Sequence, residues 1–116
     1  MDRLAPGAQL AQTSPAGTTA VTLYTATIGT EVTRIQLVNY TGSPVDVEIY
    51  HDDDGTTFNN TTIIDKVSAP ANQTTELLYR NGGQGISVLI GGSIGAKTAT
   101  GSAVNITVYG VTQVAR

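Results

Sequence analysis

The chain has 116 residues, of which 13% are charged and 40% are hydrophobic, and it contains no cysteine and no tryptophan. The lack of cysteine excludes disulfide scaffolds, thiolate zinc sites and cysteine nucleophiles. A net charge of −3 with only six Lys and Arg residues argues against a phosphate-binding or nucleic-acid-binding surface. No run approaches the roughly 18 apolar residues needed to cross a membrane.

The first segment, residues 1–19, is predicted to lack regular structure. Pro6-Gly7, Ser14-Pro15 and Ala16-Gly17 interrupt a stretch that shows no apolar period. Its first residues lack the basic and apolar regions of a secretory signal, so we expect none. Two interpretations stay open, namely a disordered tail and an extended arm that orders against a neighbouring subunit. We therefore expect an extended N-terminal arm over 1–19 and a β-sandwich domain over 20–116.

From Ala20 onward, short alternating runs separated by turn residues predict an all-β domain. Thr, Val and Ile are abundant, and their β-branched side chains suit a pleated sheet better than a helix. The predicted strands cover 20–28, 31–40, 45–50, 63–67, 73–79, 86–90 and 103–114. We expect an antiparallel β-sandwich of about seven to eight strands, jelly-roll-like or immunoglobulin-like in its connections.

Within these strands, Val45, Val47 and Ile49 are predicted to face the core, as are Ile86, Val88 and Ile90. Residues 81–85 are rich in glycine and predict a turn. The chain has only six aromatic residues, the side chains that bury the largest areas. We therefore expect contacts with partner subunits to supplement a small core.

The segment Gly91–Thr98 resembles a phosphate-binding loop, because it follows an apolar strand and reads G-x-x-x-x-A-K-T. That loop requires glycine where Ala96 stands, and a helix must follow it. No helical pattern follows here. We predict no nucleotide site and a flexible hairpin loop over Gly91–Gly101.

The densest polar cluster is His51-Asp52-Asp53-Asp54-Gly55. Its carboxylates are hard oxygen ligands of the kind calcium prefers, which makes Asp52 and Asp54 weak calcium candidates, although the EF-hand spacing fails. The alternative is a solvated turn in which aspartates cap the backbone and Gly55 is left-handed. We favour the turn and predict no metal site.

Catalytic chemistry is not indicated. His51 is the only histidine, and no oriented nucleophile accompanies it. The remaining acids, such as Asp46 and Glu48, fall on strand exteriors rather than in facing pairs. We expect no enzymatic activity, no catalytic residues and no cofactor.

Several motifs occur in an order that resembles a known group of proteins. They are IQLVNYTGSPVDVEIYHDDDGTTF at 35–58, DKVSAPANQTTELL at 65–78 and GSAVNITVYGV at 101–111. The most specific parts are N-x-T-G-S followed by V-x-V, and the loop D-D-D-G-T-T. Over residues 20–114 the chain resembles the small β-sandwich virion structural proteins of tailed bacteriophages, which occur as head decoration (cement) proteins and as head–tail or tail accessory subunits.

The resemblance implies a structural subunit that is made in the host bacterial cytoplasm and bound to the virion, on the capsid exterior. It implies contacts with the major capsid protein or other virion proteins and a homo-oligomer, with a trimer favoured. Residues 1–19 and 91–101 are the expected contact segments. No nucleic acid or membrane is expected as a partner.

Two alternatives remain. The first is a neck, tail or fibre-associated subunit. The second is a carbohydrate- or host-surface-binding module, which would need exposed aromatic side chains. The candidates for such a cluster are the five tyrosines, Tyr24, Tyr40, Tyr50, Tyr79 and Tyr109.

Overall fold

A computed structural model describes residues 8–79 and 85–112. These residues form strands and loops but no helix, so the described part of the chain contains no helix that could span a membrane. The nine strands are β1 (Ala8–Thr13), β2 (Val21–Thr25), β3 (Thr30–Asn39), β4 (Val45–Asp52), β5 (Ile63–Ala69), β6 (Thr74–Leu78), β7 (Ile86–Val88), β8 (Ser93–Thr98) and β9 (Val104–Thr112).

The strands form two antiparallel sheets. Sheet A has the order β1-β9-β3-β6, with β7 also paired to β3, and sheet B has the order β2-β8-β4-β5. The first half of the chain pairs with the second in reverse order: β4 with β5, β3 with β6 and β7, β2 with β8, and β1 with β9. The chain is therefore one long hairpin that is rolled into two sheets.

One core lies between the sheets, consistent with a β-sandwich. On β4, Val45, Val47 and Ile49 are buried as the alternating pattern predicts. Among the described residues, the apolar cluster of the core consists of Ala, Val, Leu and Ile, and its members are Leu23, Ala26, Val32, Ile35, Leu37, Val45, Val47, Ile49, Ala69, Leu77, Val88, Ile94, Ala96, Ala103, Val104, Ile106 and Val108. Tyr24 and Tyr79 pack at its margin.

The motif N-x-T-G-S is a turn that joins the sheets at one end. The Asn39 side chain is fully buried on β3, and its Nδ2 donates to the carbonyl oxygens of Ser43, at 2.8 Å, and Ala69, at 2.9 Å. Its Oδ1 accepts hydrogen bonds from the backbone N and the hydroxyl of Thr41, at 2.9 and 2.8 Å. Since Ala69 belongs to β5, this amide links sheet A to sheet B.

The prediction of an irregular arm over residues 1–19 is wrong for residues 8–13, which form β1 and pair with β9. The next residues cross to sheet B against the chain's own β8–β9 turn, where Ser102 N donates to Pro15 O at 2.8 Å. Residues 8–19 thus contact their own chain. Residues 1–7 of the predicted arm lie outside the described residues.

The predicted flexible loop over Gly91–Gly101 is also wrong. Residues 93–98 form β8, which lies inside sheet B between β2 and β4. Ile94 and Ala96 point into the core while Lys97 is exposed. In a phosphate-binding loop, the backbone curves around the phosphate and leads into a helix. A strand within a sheet does neither, so this segment lacks phosphate-loop geometry.

Two further predictions fall at the edges of the described chain. Of the glycine-rich turn at 81–85, residues 81–84 lie outside the described residues, as do the last two residues of the strand predicted over 103–114. The nine strands exceed the predicted seven to eight because β1 and β8 were missed.

Candidate functional site

An open cleft of about 560 Å³ lies on the outer face of sheet B. Its floor comes from β4 and β8, where Glu48 pairs with Lys97 and Tyr50 with Gly95. These residues alternate with the buried Val47 and Ile49, so their side chains point away from the core. The cleft is lined by Thr18, Thr19, Ala20, Glu48, Tyr50, Phe58, Asn59, Asn60, Thr61 and Lys97.

Phe58 lies directly on the backbone of β8. A Cβ atom added to Gly95 would be 2.6–2.7 Å from three consecutive atoms of the Phe58 ring, namely Cδ2, Cε2 and Cζ. Real side chains do not approach so closely, so this ring position requires glycine at 95. The Tyr50 ring supports Phe58 from the side, with centroids 5.9 Å apart and an interplanar angle of 35°. One face of Phe58 is thereby covered, and the side chain is half-buried.

Glu48 is held at the edge of the cleft by two partners. Its Oε1 accepts a hydrogen bond from the Tyr50 hydroxyl, and its Oε2 lies 3.9 Å from Lys66 Nζ. Burial of Tyr50, together with the hydrogen bond to Glu48 and its negative charge, raises the pKa of Tyr50 to about 12. Lys97 is exposed on the other side of Glu48 and forms no ion pair with any described residue.

The loop over the cleft is held by its own polar side chains. Asn59 Oδ1 accepts hydrogen bonds from Thr61 N at 2.8 Å and Thr61 Oγ1 at 2.6 Å. The Thr62 hydroxyl donates to the carbonyl oxygen of Thr57 at 2.8 Å. Such side-chain-to-backbone bonds fix a turn locally. The loop therefore has a defined shape where it meets the strands.

The acidic cluster lies at the end of β4. Asp52 is buried, and its Oδ1 accepts from Asp54 N at 3.2 Å while its Oδ2 accepts from Thr57 N at 2.7 Å. Carboxylate oxygens of Asp52, Asp53 and Asp54 lie within 4.8 Å of one another. The backbone hydrogen bonds from Thr57 and Asp54 lower the pKa of Asp52, whereas the Asp52 carboxylate raises the pKa of Asp54.

This geometry is what the capping interpretation requires, since Asp52 accepts backbone N–H groups of the loop that follows it. The prediction that Gly55 adopts a left-handed conformation is wrong. Among the described glycines, only Gly91 has a positive φ. The weak calcium assignment to Asp52 and Asp54 stays a prediction. If it holds, about 1 mM calcium raises the melting temperature by several degrees, and an unchanged melting temperature against EDTA rejects it.

His51 lies on the same face of β4 as the core residues Val47 and Ile49. Its Nε2 is buried and makes no hydrogen bond to the described residues. The neighbouring Asp52 points to the opposite face, and its two oxygens accept from the backbone.

The tyrosines do not form the exposed cluster considered above. Tyr50 is buried, and Tyr40 is 51% exposed but bonded through its hydroxyl to Ser14 Oγ at 2.8 Å. The other three are half-buried and hydrogen bonded, with partners Thr30 for Tyr24, Asp65 for Tyr79 and Gln36 for Tyr109. Burial and the carboxylate of Asp65 raise the pKa of Tyr79. Phe58 lines the cleft together with Tyr50, and it was not among the aromatic candidates predicted from the sequence.

Leu89 and Ile90 are the most exposed large apolar residues of the described chain, at 64% and 72%, and we call them the apolar tip. Ile90 was predicted to face the core, and that prediction is wrong because β7 ends at Val88. A turn follows, in which Gly92 N donates to Leu89 O at 2.8 Å and Gly91 has a φ of 90°. A positive φ at the third position is typical of a type II turn and favours glycine.

The turn that carries the apolar tip is fixed from two sides. Gly91 N donates to Ala26 O at 3.0 Å, and Ala26 N donates to Gly92 O at 2.9 Å. A Cβ on Gly92 would lie 3.1 Å from the carbonyl oxygen of Asp53, so the acidic loop packs beside the turn. The tip is therefore a rigid apolar projection with acidic side chains next to it.

Comparison with protein-family models and with curated proteins found no match to this chain.

Proposed function

We propose that this chain is a non-enzymatic structural subunit of a tailed-bacteriophage virion, and specifically a capsid decoration (cement) protein. In this role it bridges major capsid subunits on the outside of the shell as a homo-oligomer, with a trimer favoured by local three-fold axes. The proposal starts from the sequence motifs at 35–58 and 101–111. The strand order and the apolar tip support it.

The strand order supports the jelly-roll alternative over the immunoglobulin-like one. In a jelly roll, a long antiparallel hairpin is rolled so that its successive paired strands alternate between two four-stranded sheets. The pairings β1–β9, β2–β8, β3–β6 and β4–β5 follow this scheme. Viral capsid proteins and lectins both use jelly rolls, so the fold fits a virion subunit but does not select one function.

The apolar tip is the observation that carries the proposal. Adjacent exposed apolar side chains mark interaction sites, and Leu89 and Ile90 are neighbours in the chain that a hydrogen-bonded turn holds outward. The other exposed large apolar residues of the described chain, Tyr40, Ile64 and Leu78, lie apart in the sequence. Burial of such a side chain contributes about 1.5–3 kcal/mol. That gain is modest for one subunit but is multiplied when an oligomer engages several sites together.

The acidic residues beside the apolar tip indicate the kind of partner surface that it would bind. Asp53 and Asp54 are exposed on the loop that packs beside the turn. An apolar projection with an acidic side matches an apolar depression rimmed by Lys or Arg on the partner. We assign that depression to the major capsid protein, because a decoration protein binds it at many equivalent sites on the shell.

The copy number in purified particles tests the proposal. A decoration protein is present in on the order of hundreds of copies, because it follows the symmetry of the shell. About six to eighteen copies would favour the neck or tail alternative instead. Absence of the chain from purified particles would contradict a virion role of either kind.

Particles that lack the chain provide a second readout. If the protein braces the shell, those particles release their DNA at a lower temperature than complete particles do. Addition of the purified protein should restore the original release temperature. Identical release temperatures with and without the protein would contradict the cement role.

A further inference from the structure

We propose that the cleft on sheet B is a carbohydrate-binding site that takes a neutral oligosaccharide through stacking on Phe58. This inference goes beyond the structural role and does not rest on it, because it uses a different surface from the apolar tip. It rests on the fixed aromatic ring, on the neighbouring but mutually unbonded charges of Glu48 and Lys97 in the floor, and on the preformed loop above them.

The Phe58 ring has the geometry of a stacking platform. Three consecutive ring atoms lie over Gly95, so the ring sits flat on β8 with one face covered. The side chain is half-buried and lines the cleft, which leaves its other side to the cavity. Sugar rings carry an apolar face of C–H groups, and an aromatic face is the surface that fits it. The ring is also fixed in advance, so binding loses little side-chain entropy.

The floor supplies the polar groups that recognise hydroxyls. Glu48 offers carboxylate oxygens that only accept hydrogen bonds, and Lys97 offers an ammonium group that only donates them. The two residues are direct cross-strand partners on β4 and β8, and such partners have Cβ atoms about 5 Å apart. Adjacent hydroxyls on a sugar each donate and accept, so one can donate to Glu48 while its neighbour accepts from Lys97.

The loop above the floor is preformed for binding. Asn59 is committed to Thr61 through two hydrogen bonds, which fix the loop. The next residue, Asn60, is exposed on the cleft wall, and its side chain makes no hydrogen bond to the described residues. Its amide offers both a donor and an acceptor at the entrance. A few convergent polar groups around an apolar surface are typical of small-molecule sites.

The charge balance of the cleft favours a neutral ligand. Lys97 is a single cation, and the carboxylate of Glu48 is its direct neighbour in the floor. A phosphate or an acidic sugar placed against Lys97 would also approach that carboxylate, and the repulsion would cancel much of the attraction. A neutral hydroxyl-rich ligand uses both groups at once.

The test is an NMR titration of the full chain with neutral oligosaccharides. The probes are tetramers of β-1,4-linked glucose, β-1,4-linked N-acetylglucosamine and β-1,4-linked galactose, each added to about 10 mM, which detects a millimolar Kd. We expect at least one probe to give saturable shifts at the backbone amides of Gly95, Lys97 and Asn60. The absence of saturable shifts with all three probes would overturn the proposal.

Matched variants separate stacking from general effects. Phe58→Ala removes the platform, and Gly95→Ala displaces it through the clash at 2.6 Å, so each should weaken binding at least about tenfold. Gly42→Ala is the control, because a Cβ there meets nothing within 4 Å, and it should bind as the original chain does. Equal binding by Phe58→Ala, with its fold confirmed by an unchanged amide spectrum away from the cleft, would also overturn the proposal.

Discussion

The outer faces of the two sheets differ in how their polar side chains are used. On sheet A, Arg34 Nη1 bonds to Glu76 Oε2 at 3.0 Å, and its guanidinium lies 4.1 Å from the centre of the Tyr109 ring. Gln12 Nε2 donates to Thr107 Oγ1 at 3.0 Å on the same face. These polar side chains bond to one another across four neighbouring strands. At these positions, sheet A therefore presents polar groups that are already paired.

On the outer face of sheet B, polar residues surround an open cleft. Lys97 lies beside Glu48 and is not used by any described carboxylate, while a loop and Phe58 enclose the volume above them. Polar side chains alone therefore do not distinguish a binding face from a face whose polar groups bond to one another. What distinguishes sheet B is the glycine in β8, which allows an aromatic ring to lie on the sheet.

The largest expected loss of stability comes from changing the Asn39 side-chain amide, because this amide links sheet A to sheet B. Asn39→Asp replaces two donated hydrogen bonds with a negative charge facing the carbonyl oxygens of Ser43 and Ala69. We expect a loss of about 3 kcal/mol or more in the free energy of unfolding at neutral pH. Urea denaturation measures it.

Asn60→Asp is the control for that substitution, because Asn60 is exposed. It should change the free energy of unfolding by no more than about 0.5 kcal/mol. Equal losses for the two variants would show that the buried amide does not join the sheets.

Each sheet contains a glycine whose Cα is closely approached by another part of the chain. A Cβ on Gly110 in sheet A would lie 2.2 Å from the backbone oxygen of Glu31, whereas the three atoms nearest to a Cβ on Gly95 all belong to the Phe58 ring. Backbone cannot move aside as a ring can, so Gly110→Ala should cost about 3 kcal/mol and Gly95→Ala about 1 kcal/mol. Thermal unfolding measures both, and a larger loss for Gly95→Ala would contradict this account of the ring.

The Tyr50–Glu48 contact predicts a pH dependence that arises on sheet B. An unfolded tyrosine has a pKa of about 10, and that of folded Tyr50 is raised to about 12. The folded chain thus holds this proton more tightly, so the stabilisation is complete below pH 10 and is lost as the pH rises through about 12.

Tyr50→Phe should reduce the alkaline loss of stability and leave the part that comes from the raised pKa of Tyr79, as measured by urea denaturation between pH 9 and about pH 12. Tyr40→Phe is the control at an exposed position and should keep the original dependence. Identical pH profiles for the original chain and Tyr50→Phe would contradict the burial and bonding assigned to Tyr50.

The smallest effect is expected on sheet A. Arg34→Ala removes an ion pair whose side chains are 34% and 44% exposed, together with the contact to Tyr109. Exposed pairs contribute little, so we expect a loss of about 0.5–1 kcal/mol. Denaturation in low and high salt should show the difference shrinking with salt, and a loss unaffected by salt would assign it to packing on Tyr109.

The fold could be predicted where apolar alternation is strong. The side chains of β4 alternate between core and surface, and their pattern gave the right faces. Two strands were missed for physical reasons. β1 contains only Ala, Gln, Leu and Thr in no clear period, and β8 contains Gly95 and Lys97, which are typical of loops. Both become strands because long stretches of β9 and β4 offer them partners.

The cleft on sheet B could not be predicted from local sequence patterns, because the residues that form it are distant in the sequence. Phe58 lies in a polar loop, and its role depends on Gly95, a residue on a distant strand. Ile90 of the apolar tip was predicted to face the core because it continues the alternation of Ile86 and Val88. The turn at Gly91 ends that alternation. The acidic loop was closer to expectation, since Asp52 caps the backbone as the turn interpretation required.

The most direct test of the central claim is the binding of the purified chain to particles that lack it, compared with the double variant Leu89→Ser/Ile90→Ser. Ile64→Ser is the control, because Ile64 is a large apolar residue on β5 that is 42% exposed and is not part of the apolar tip. Cosedimentation should recover the original chain and Ile64→Ser with the particles, while the double variant, with an unchanged melting temperature, stays in solution. Equal recovery of the double variant would contradict the claim that this chain docks on the virion through its apolar tip.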